Sequence, residues 1–403
     1  MSHRALVLAA MAHGSSRIAG LAPGDDVRST TAALARLGVT VTPEGVSSPG
    51  VMDWTEPDGP LDAGNSGTTL RLLAGALSGR PFTVTLIGDP SLMRRPMRRL
   101  VDPLAALGAS VAVSVEGTPP VVVRGGALRG TSLTLDLPSA QVRTAVSLAA
   151  LQAEGTTTID SPPGFRDHTE RWLASLGLGR WITSTAFRVE PGPVPPTAFE
   201  LPGDPSSAAY LAAAAALVPG SDIHLRGISL NPGRTGFFDI LESMGAIVVR
   251  SVTGAAHGDP VGDVTVRAAS LRGVHIRAPL ALRAVDELPL VAVLAGVASG
   301  ETEVRDAAEL GAKESDRIAT TVAMIRALGG SATAHEDGFT VSGLGGPYAG
   351  GVVDAAGDHR IAMAAATAAA AGRSPVTVRG FDAVDVSWPG FRETLEATWS
   401  SSR

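Results

Sequence analysis

The chain has a single lysine, Lys313, set in Ala312-Lys313-Glu314-Ser315-Asp316-Arg317; the other basic residues are 32 arginines. A compact ammonium can sit against a hydroxyl or phosphate and can lose its proton, which the planar arginine fork cannot. Arg28, Arg95, Arg166, Arg234 and Arg317 stand at or near the starts of predicted helices. A cation there opposes the helix dipole, so on stability grounds the set is misplaced. Helix N-termini and arginines that face the same bound anions account for it. For any one of these arginines a plain surface charge is the simpler reading; for the set it is not. The chemistry indicated is recognition of phosphates and carboxylates.

Composition narrows the class. There are no cysteines, which removes disulfides, thiolate metal sites and a Cys nucleophile. The eight histidines are scattered without a His-x-x-x-His pair, so no metal site is expected. A net charge of −6 offers no basic face to nucleic acid. No apolar run approaches the ~20 residues that span a bilayer. The start, Met1 to Ala12, imitates a secretory signal with its basic residue, apolar run and Ala-Met-Ala end. Its Ser2-His3-Arg4 is read instead as part of a motif taken up below. Ala208–Val218 and Ile361–Ala371 read as tightly packed buried helices.

The elements that would position these residues repeat. A helical segment ending in Leu-Gly or Met-Gly recurs at Asp25–Gly38, Arg95–Gly108, Arg166–Gly177, Asn231–Gly245 and Lys313–Gly329, and a sixth copy opens at Trp388. Apolar residues follow helical spacing, as in Met97, Leu100, Val101, Leu104 and Leu107. The glycine predicts a left-handed cap. Strands are predicted at Val39–Val41, Phe82–Leu86, Leu133–Leu137 and Ala246–Val249. The turn at Pro202-Gly203-Asp204-Pro205 falls between three copies and three copies. It suggests domains 1–201 and 202–403.

Eight motifs then carry a resemblance: Ser2-His3-Arg4-Ala5, Gly64-Asn65-Ser66-Gly67-Thr68-Thr69-Leu70-Arg71, Arg95-Pro96-Met97, Ser139-Ala140-Gln141-Val142, Arg166-Asp167-His168-Thr169-Glu170, Asp286-Glu287, Lys313-Glu314-Ser315-Asp316-Arg317 and Asp358-His359-Arg360. In this order they resemble the EPSP synthase (3-phosphoshikimate 1-carboxyvinyltransferase) family of enolpyruvyl transferases across nearly the whole chain. The resemblance implies a two-domain inside-out α/β barrel, each domain of three repeated α/β units around a pseudo-threefold axis, with the active site in the cleft between them. It implies transfer of the enolpyruvyl group of phosphoenolpyruvate to the 5-hydroxyl of shikimate 3-phosphate, in chorismate and aromatic amino acid biosynthesis, by a cytoplasmic monomer that uses no cofactor and no metal.

By the same resemblance Ser2, Arg4, Ser139, Ala140, Gln141, Arg166, Asp286 and Lys313 hold shikimate 3-phosphate. Asn65, Gly67, Arg95, Gln141, Arg317 and Arg360 bind phosphoenolpyruvate. Asp286 takes the hydroxyl proton; Glu314 delivers and later removes the methyl proton. On their own, Asp286 reads as a helix cap and Glu314 as a first-turn partner of the dipole. Glyphosate occupies the phosphoenolpyruvate site in the family, and an Ala at the position of Gly67 hinders it.

The sequence departs from the family at three places. Gly311-Ala312 stands where Arg-Val is usual, and Val386 where some members carry Lys. The family places Pro-Gly-Asp-Lys-Ser directly before the residue aligned with Met1. The expectation is therefore that Met1 is not the natural start, and that the 403-residue form is inactive or poorly soluble without that segment. Competing readings are a secondary-metabolism paralogue acting on a related cyclic acid and a non-catalytic anion-binding paralogue. A UDP-N-acetylglucosamine enolpyruvyl transferase usually needs the Cys that this chain lacks.

Overall fold

The structure is a computed structural model that describes residues 1–400. The chain divides into two units, Met1–Leu201 with Ala255–Asp259, and Pro202–Gly254 with Pro260–Arg403. It is a mixed α/β protein.

The first unit holds helices α1 (Ser2–Met11), α2 (Asp25–Ala35), α3 (Gly67–Leu77), α4 (Val101–Ala106), α5 (Ala140–Ala150) and α6 (His168–Ser175). Every residue of α1 is buried, as is nearly all of α3 and α5. A helix apolar on all sides belongs inside a core, and these three form it, with α3 packed against both others. Small residues let the helices approach: a Cβ added at Gly75 of α3 would lie 2.1 Å from the Ala145 carbonyl oxygen of α5.

Three four-stranded sheets surround these helices, and one connectivity recurs in them. His13–Ala19 pairs parallel with Ala198–Glu200 and antiparallel with Gly45–Pro49, which pairs antiparallel with Thr40–Thr42. Thr83–Ile87 is placed in the same way among Leu61–Asp62, Val121–Arg124 and Ser110–Ala112. So is Thr157–Asp160, among Ser132–Thr134, Phe187–Val189 and Gly179–Trp181.

The second unit holds α7 (Pro205–Leu217), α8 (Gly236–Ser243), α9 (Leu280–Arg283), α10 (Leu288–Val297), α11 (Arg317–Ala327), α12 (His359–Ala368) and α13 (Phe391–Ser400). Here α7, α10 and α12 are the buried apolar helices and pack on one another. Glu301–Val304 repeats the connectivity, parallel to His275–Ile276 and antiparallel to Gly338–Ser342, which pairs with Ser331–His335. Asp222–Ser229 pairs antiparallel with Asp259–Arg267 in a three-stranded sheet, and a single bridge from Gly203 occupies its parallel position. Among the described residues, the last sheet is the parallel pair Gly351–Asp354 and Val376–Arg379 alone.

Gly38, Gly108, Gly177, Gly245 and Gly329 all have positive φ, so each of the five predicted stops is a left-handed cap. Two expectations need correction. The helix predicted from Arg95 begins only at Val101; Arg95 lies between two 3-10 turns, Leu92–Arg94 and Arg98–Leu100. Pro96 removes an N–H and restricts Arg95, which keeps an extended backbone of φ −79, ψ 143. The strand predicted over Leu133–Leu137 ends at Thr134; Leu137 is exposed.

Candidate active site

In the first unit the site residues gather at helix N-termini. Ser66 caps α3 by accepting from the Thr69 N–H at 3.1 Å, so Gly67 opens that helix. Ser139 caps α5 through the Val142 N–H at 3.5 Å, so Ala140 and Gln141 open the next. These first turns lie side by side. Gln141 Nε2 donates to Thr68 Oγ1 at 2.8 Å, and Arg71 Nη1 donates to Gln141 Oε1 at 2.6 Å. Arg71 also donates to the Gly67 carbonyl at 3.3 Å and, through Nη2, to the Pro96 carbonyl at 3.1 Å. Two helix N-termini thus lie side by side with an arginine next to them, which suits an anion. Arg95 Nη2 donates to Asn65 Oδ1 at 2.5 Å, and Asn65 donates to Asp89 at 2.6 Å.

Ser2 and Arg4 sit on the buried first helix. Ser2 Oγ accepts from the Ala22 N–H at 3.0 Å, and Arg4 Nε donates to Thr169 Oγ1 at 2.9 Å on α6. Arg166 lies just ahead of α6, half-buried. Its segment is braced beneath by Arg143, fully buried, whose Cζ lies 3.9 Å over the Phe165 ring and whose Nε contacts Glu170 at 2.5 Å. Burial pushes the Glu170 carboxyl up against the opposing field of Arg143. Asp259 braces the far side: its Oδ2 contacts His168 Nδ1 at 2.7 Å and accepts from Trp172 Nε1 at 3.0 Å. The first contact has ion-pair geometry, yet burial lowers the His168 pKa to about 4, outweighing Asp259, so at neutral pH it is a hydrogen bond from a neutral imidazole.

The second unit assembles its residues at four more N-termini. Asp316 caps α11, Asp358 caps α12, Asp204 caps α7, and Glu287 stands at the cap position of α10. Arg317, only 2% exposed, is the centre. Its Nε lies 2.8 Å from Asp358 Oδ2, its Nη2 2.5 Å from Glu314 Oε2, and its Nη1 3.3 Å from Asp286 Oδ1. Lys313 Nζ approaches the same Asp286 oxygen at 3.4 Å and Glu309 Oε1 at 3.3 Å. Burial opposes ionisation of Asp358, but the Arg317 guanidinium outweighs it and holds that carboxyl below its ordinary range. Three neighbouring carboxylates more than offset burial for Arg317, whose pKa is raised. Arg360 approaches Glu287 at 3.5 Å.

Asp286, Lys313, Glu314 and Arg317 therefore form one contiguous cluster, with two carboxylates able to move protons beside two cations able to hold anions. In the first unit Gly67 and Gln141 are joined through Arg71, and Asn65 is joined to Arg95. Four participants were missed in the sequence. Arg71 and Arg143 carried a signal, an arginine inside an otherwise apolar helix, which must find a partner. Asp358 lay in a motif without being assigned a role. Asp259 had no local signal.

Comparison with known proteins identifies the family of the chain. The sequence profile described as EPSP synthase (3-phosphoshikimate 1-carboxyvinyltransferase) matches residues 1–395. A 3-phosphoshikimate 1-carboxyvinyltransferase from Xanthomonas campestris pv. campestris is 44% identical over 398 residues, covering 97% of this chain and 90% of the relative. One from Chloroflexus aurantiacus is 44% identical over 405 residues, covering 98% and 93%. The EPSP synthase structure from Acinetobacter baumannii superposes with a TM-score of 0.86 at 35% identity, covering 98% of this chain and 93% of that one. The enolpyruvyl transferase NikO from Streptomyces tendae shares the fold, with a TM-score of 0.76 at 20% identity. The chain belongs to the EPSP synthase (3-phosphoshikimate 1-carboxyvinyltransferase) family.

Proposed function

We propose that the protein transfers the enolpyruvyl group of phosphoenolpyruvate to the 5-hydroxyl of shikimate 3-phosphate and releases phosphate. The observation that carries the reading is the Asp286–Lys313–Glu314–Arg317 cluster, in a chain 44% identical to proteins of that name. Both substrates are anions, and arginine forks at helix N-termini suit phosphate and carboxylate.

In the mechanism, Glu314 gives a proton to the methylene carbon of phosphoenolpyruvate. The adjacent carbon becomes cationic, and the 5-hydroxyl attacks it while Asp286 takes the hydroxyl proton. The tetrahedral adduct then expels phosphate, which leaves with the proton held by Asp286. Glu314 recovers its proton from the methyl group, which restores the double bond. Each proton-transfer group is worth roughly 10²–10⁴-fold.

Lys313, Arg166, Arg4, Ser2, Ser139, Ala140 and Gln141 are assigned to shikimate 3-phosphate, with Asp286 at its 5-hydroxyl. Arg95, Arg317, Arg360, Asn65, Gly67 and Gln141 are assigned to phosphoenolpyruvate. The recurring connectivity and the inner apolar helices support reading each unit as three repeats of an inside-out α/β barrel. The substrates are charged metabolites that do not cross membranes unaided, so the reading places the enzyme in the cytoplasm. The reading takes the enzyme as a monomer, as expected from the sequence. Phosphate release with this pair tests the assignment; release only with a different cyclic alcohol would refute it.

A further inference from the structure

Each arginine at the start of α11 and α12 has a buried carboxylate behind it. For Arg317 it is Asp358. For Arg360 it is Glu287, which is 1% exposed and follows the proposed base Asp286 directly. Glu287 Oε1 lies 3.5 Å from Arg360 Nη1 and also accepts a short hydrogen bond from Ser206 Oγ on α7. Ser206 Oγ in turn accepts from Arg234 Nη2 at 2.7 Å, and the same Nη2 reaches Asp204 Oδ1 at 2.8 Å. The charge of Arg360 also acts on Tyr210, one turn along α7 from Ser206. Burial pushes the Tyr210 phenol up to about 12, so it faces Arg360 as a neutral hydroxyl.

We propose that Glu287 is a positioning residue: it holds Arg360 in place for the acid groups of phosphoenolpyruvate, and the chain Arg234–Ser206 fixes Glu287 from α7. The physical reason is that a buried guanidinium settles wherever its opposite charge lies. The Ser206 hydroxyl occupies one direction around Oε1, which orients the carboxyl toward α12. The arrangement gives Arg234, one of the arginines at predicted helix starts, a role that needs no direct contact with substrate. This rests on the reading that Arg360 binds phosphoenolpyruvate.

Glu287→Gln keeps size and can still accept from Ser206 but removes the charge. Its steady-state kinetics should show the KM for phosphoenolpyruvate raised about tenfold, with the KM for shikimate 3-phosphate within twofold and kcat within about threefold. Ser206→Ala, a milder change that leaves the carboxylate, should move the same KM in the same direction by less. An unchanged phosphoenolpyruvate KM in both variants, or equal rises for both substrates, would overturn the proposal. A crystal structure of Glu287→Gln judges positioning independently of turnover: Arg360 displaced supports it, and Arg360 unmoved overturns it. Arg360→Lys in the same assay tests the underlying reading. If that variant leaves the phosphoenolpyruvate KM unchanged, the assignment of Arg360 fails, whatever Glu287 does.

Discussion

Gly67→Ala tests the geometry of the first-unit site at one atom. The added Cβ would lie 2.7 Å from Arg71 Nη1, 3.5 Å from Arg95 Nη1 and 3.6 Å from Leu92 Cδ1. Only the first contact is too close, and it involves the far end of a flexible side chain, so Arg71 moves and the fold does not. Moving Nη1 lengthens its 2.6 Å bond to Gln141 Oε1 and its 3.3 Å bond to the Gly67 carbonyl. A hydrogen bond with a charged donor is worth about 1.5–3 kcal/mol. Arg71 keeps its Pro96 contact, so the lower end applies, and about 1.4 kcal/mol is tenfold. The KM for phosphoenolpyruvate should rise roughly tenfold and inhibition by glyphosate should weaken. Global stability should stay within about 1 kcal/mol, because Ala in a first helical turn offsets the small displacement. Steady-state kinetics with a thermal melt reads all three. Unchanged KM and unchanged inhibition would refute the reasoning, and so would a melting temperature lowered by many degrees.

Other outcomes follow from the same contacts. Asp286→Asn and Glu314→Gln should each lower kcat by about two or more powers of ten with modest effects on KM; near-normal turnover would leave that residue a structural partner of Arg317. His168 and His359 are neutral in the fold because burial lowers each pKa from 6.5 to about 4. The unfolded chain therefore binds more protons, and their stabilisation is complete above about pH 6.5 and is lost as pH falls toward 4. Each is worth on the order of 3 kcal/mol; urea midpoints for wild type and His168→Gln should converge as pH drops from 7 to 4.5, and parallel curves would contradict this. Gly296→Ala would put a Cβ 2.0 Å from Tyr348 Oη, which donates to the Val293 carbonyl at 2.8 Å. Overpacking and the lost bond should cost about 2–4 kcal/mol in urea unfolding; a loss under about 1 kcal/mol would show that the core yields.

Much of the fold was legible because its signals are local. A glycine after an apolar periodic segment needs no tertiary context to adopt positive φ, and all five did so. The apolar spacing of Met97, Leu100, Leu104 and Leu107 did mark buried residues, although behind Pro96 the helix they suggested starts only at Val101, after a 3-10 turn. The site's charged residues were legible by type and motif, but their pairing was not. Arg71 meets Gln141 across 70 positions, and His168 meets Asp259 across 91. Nothing near Asp259 in the chain marks it as the residue that seats α6. Glu287 was visible only as the neighbour of Asp286, and its role depends on α7 and α12 arriving together.

The central claim is tested most directly by phosphate release from the full-length gene product given phosphoenolpyruvate and shikimate 3-phosphate, with the organic product identified by mass. The account predicts stoichiometric phosphate and an enolpyruvyl ether of shikimate 3-phosphate, with no release when either substrate is omitted. Binding of both substrates without release, or release that needs a different cyclic alcohol, would contradict it.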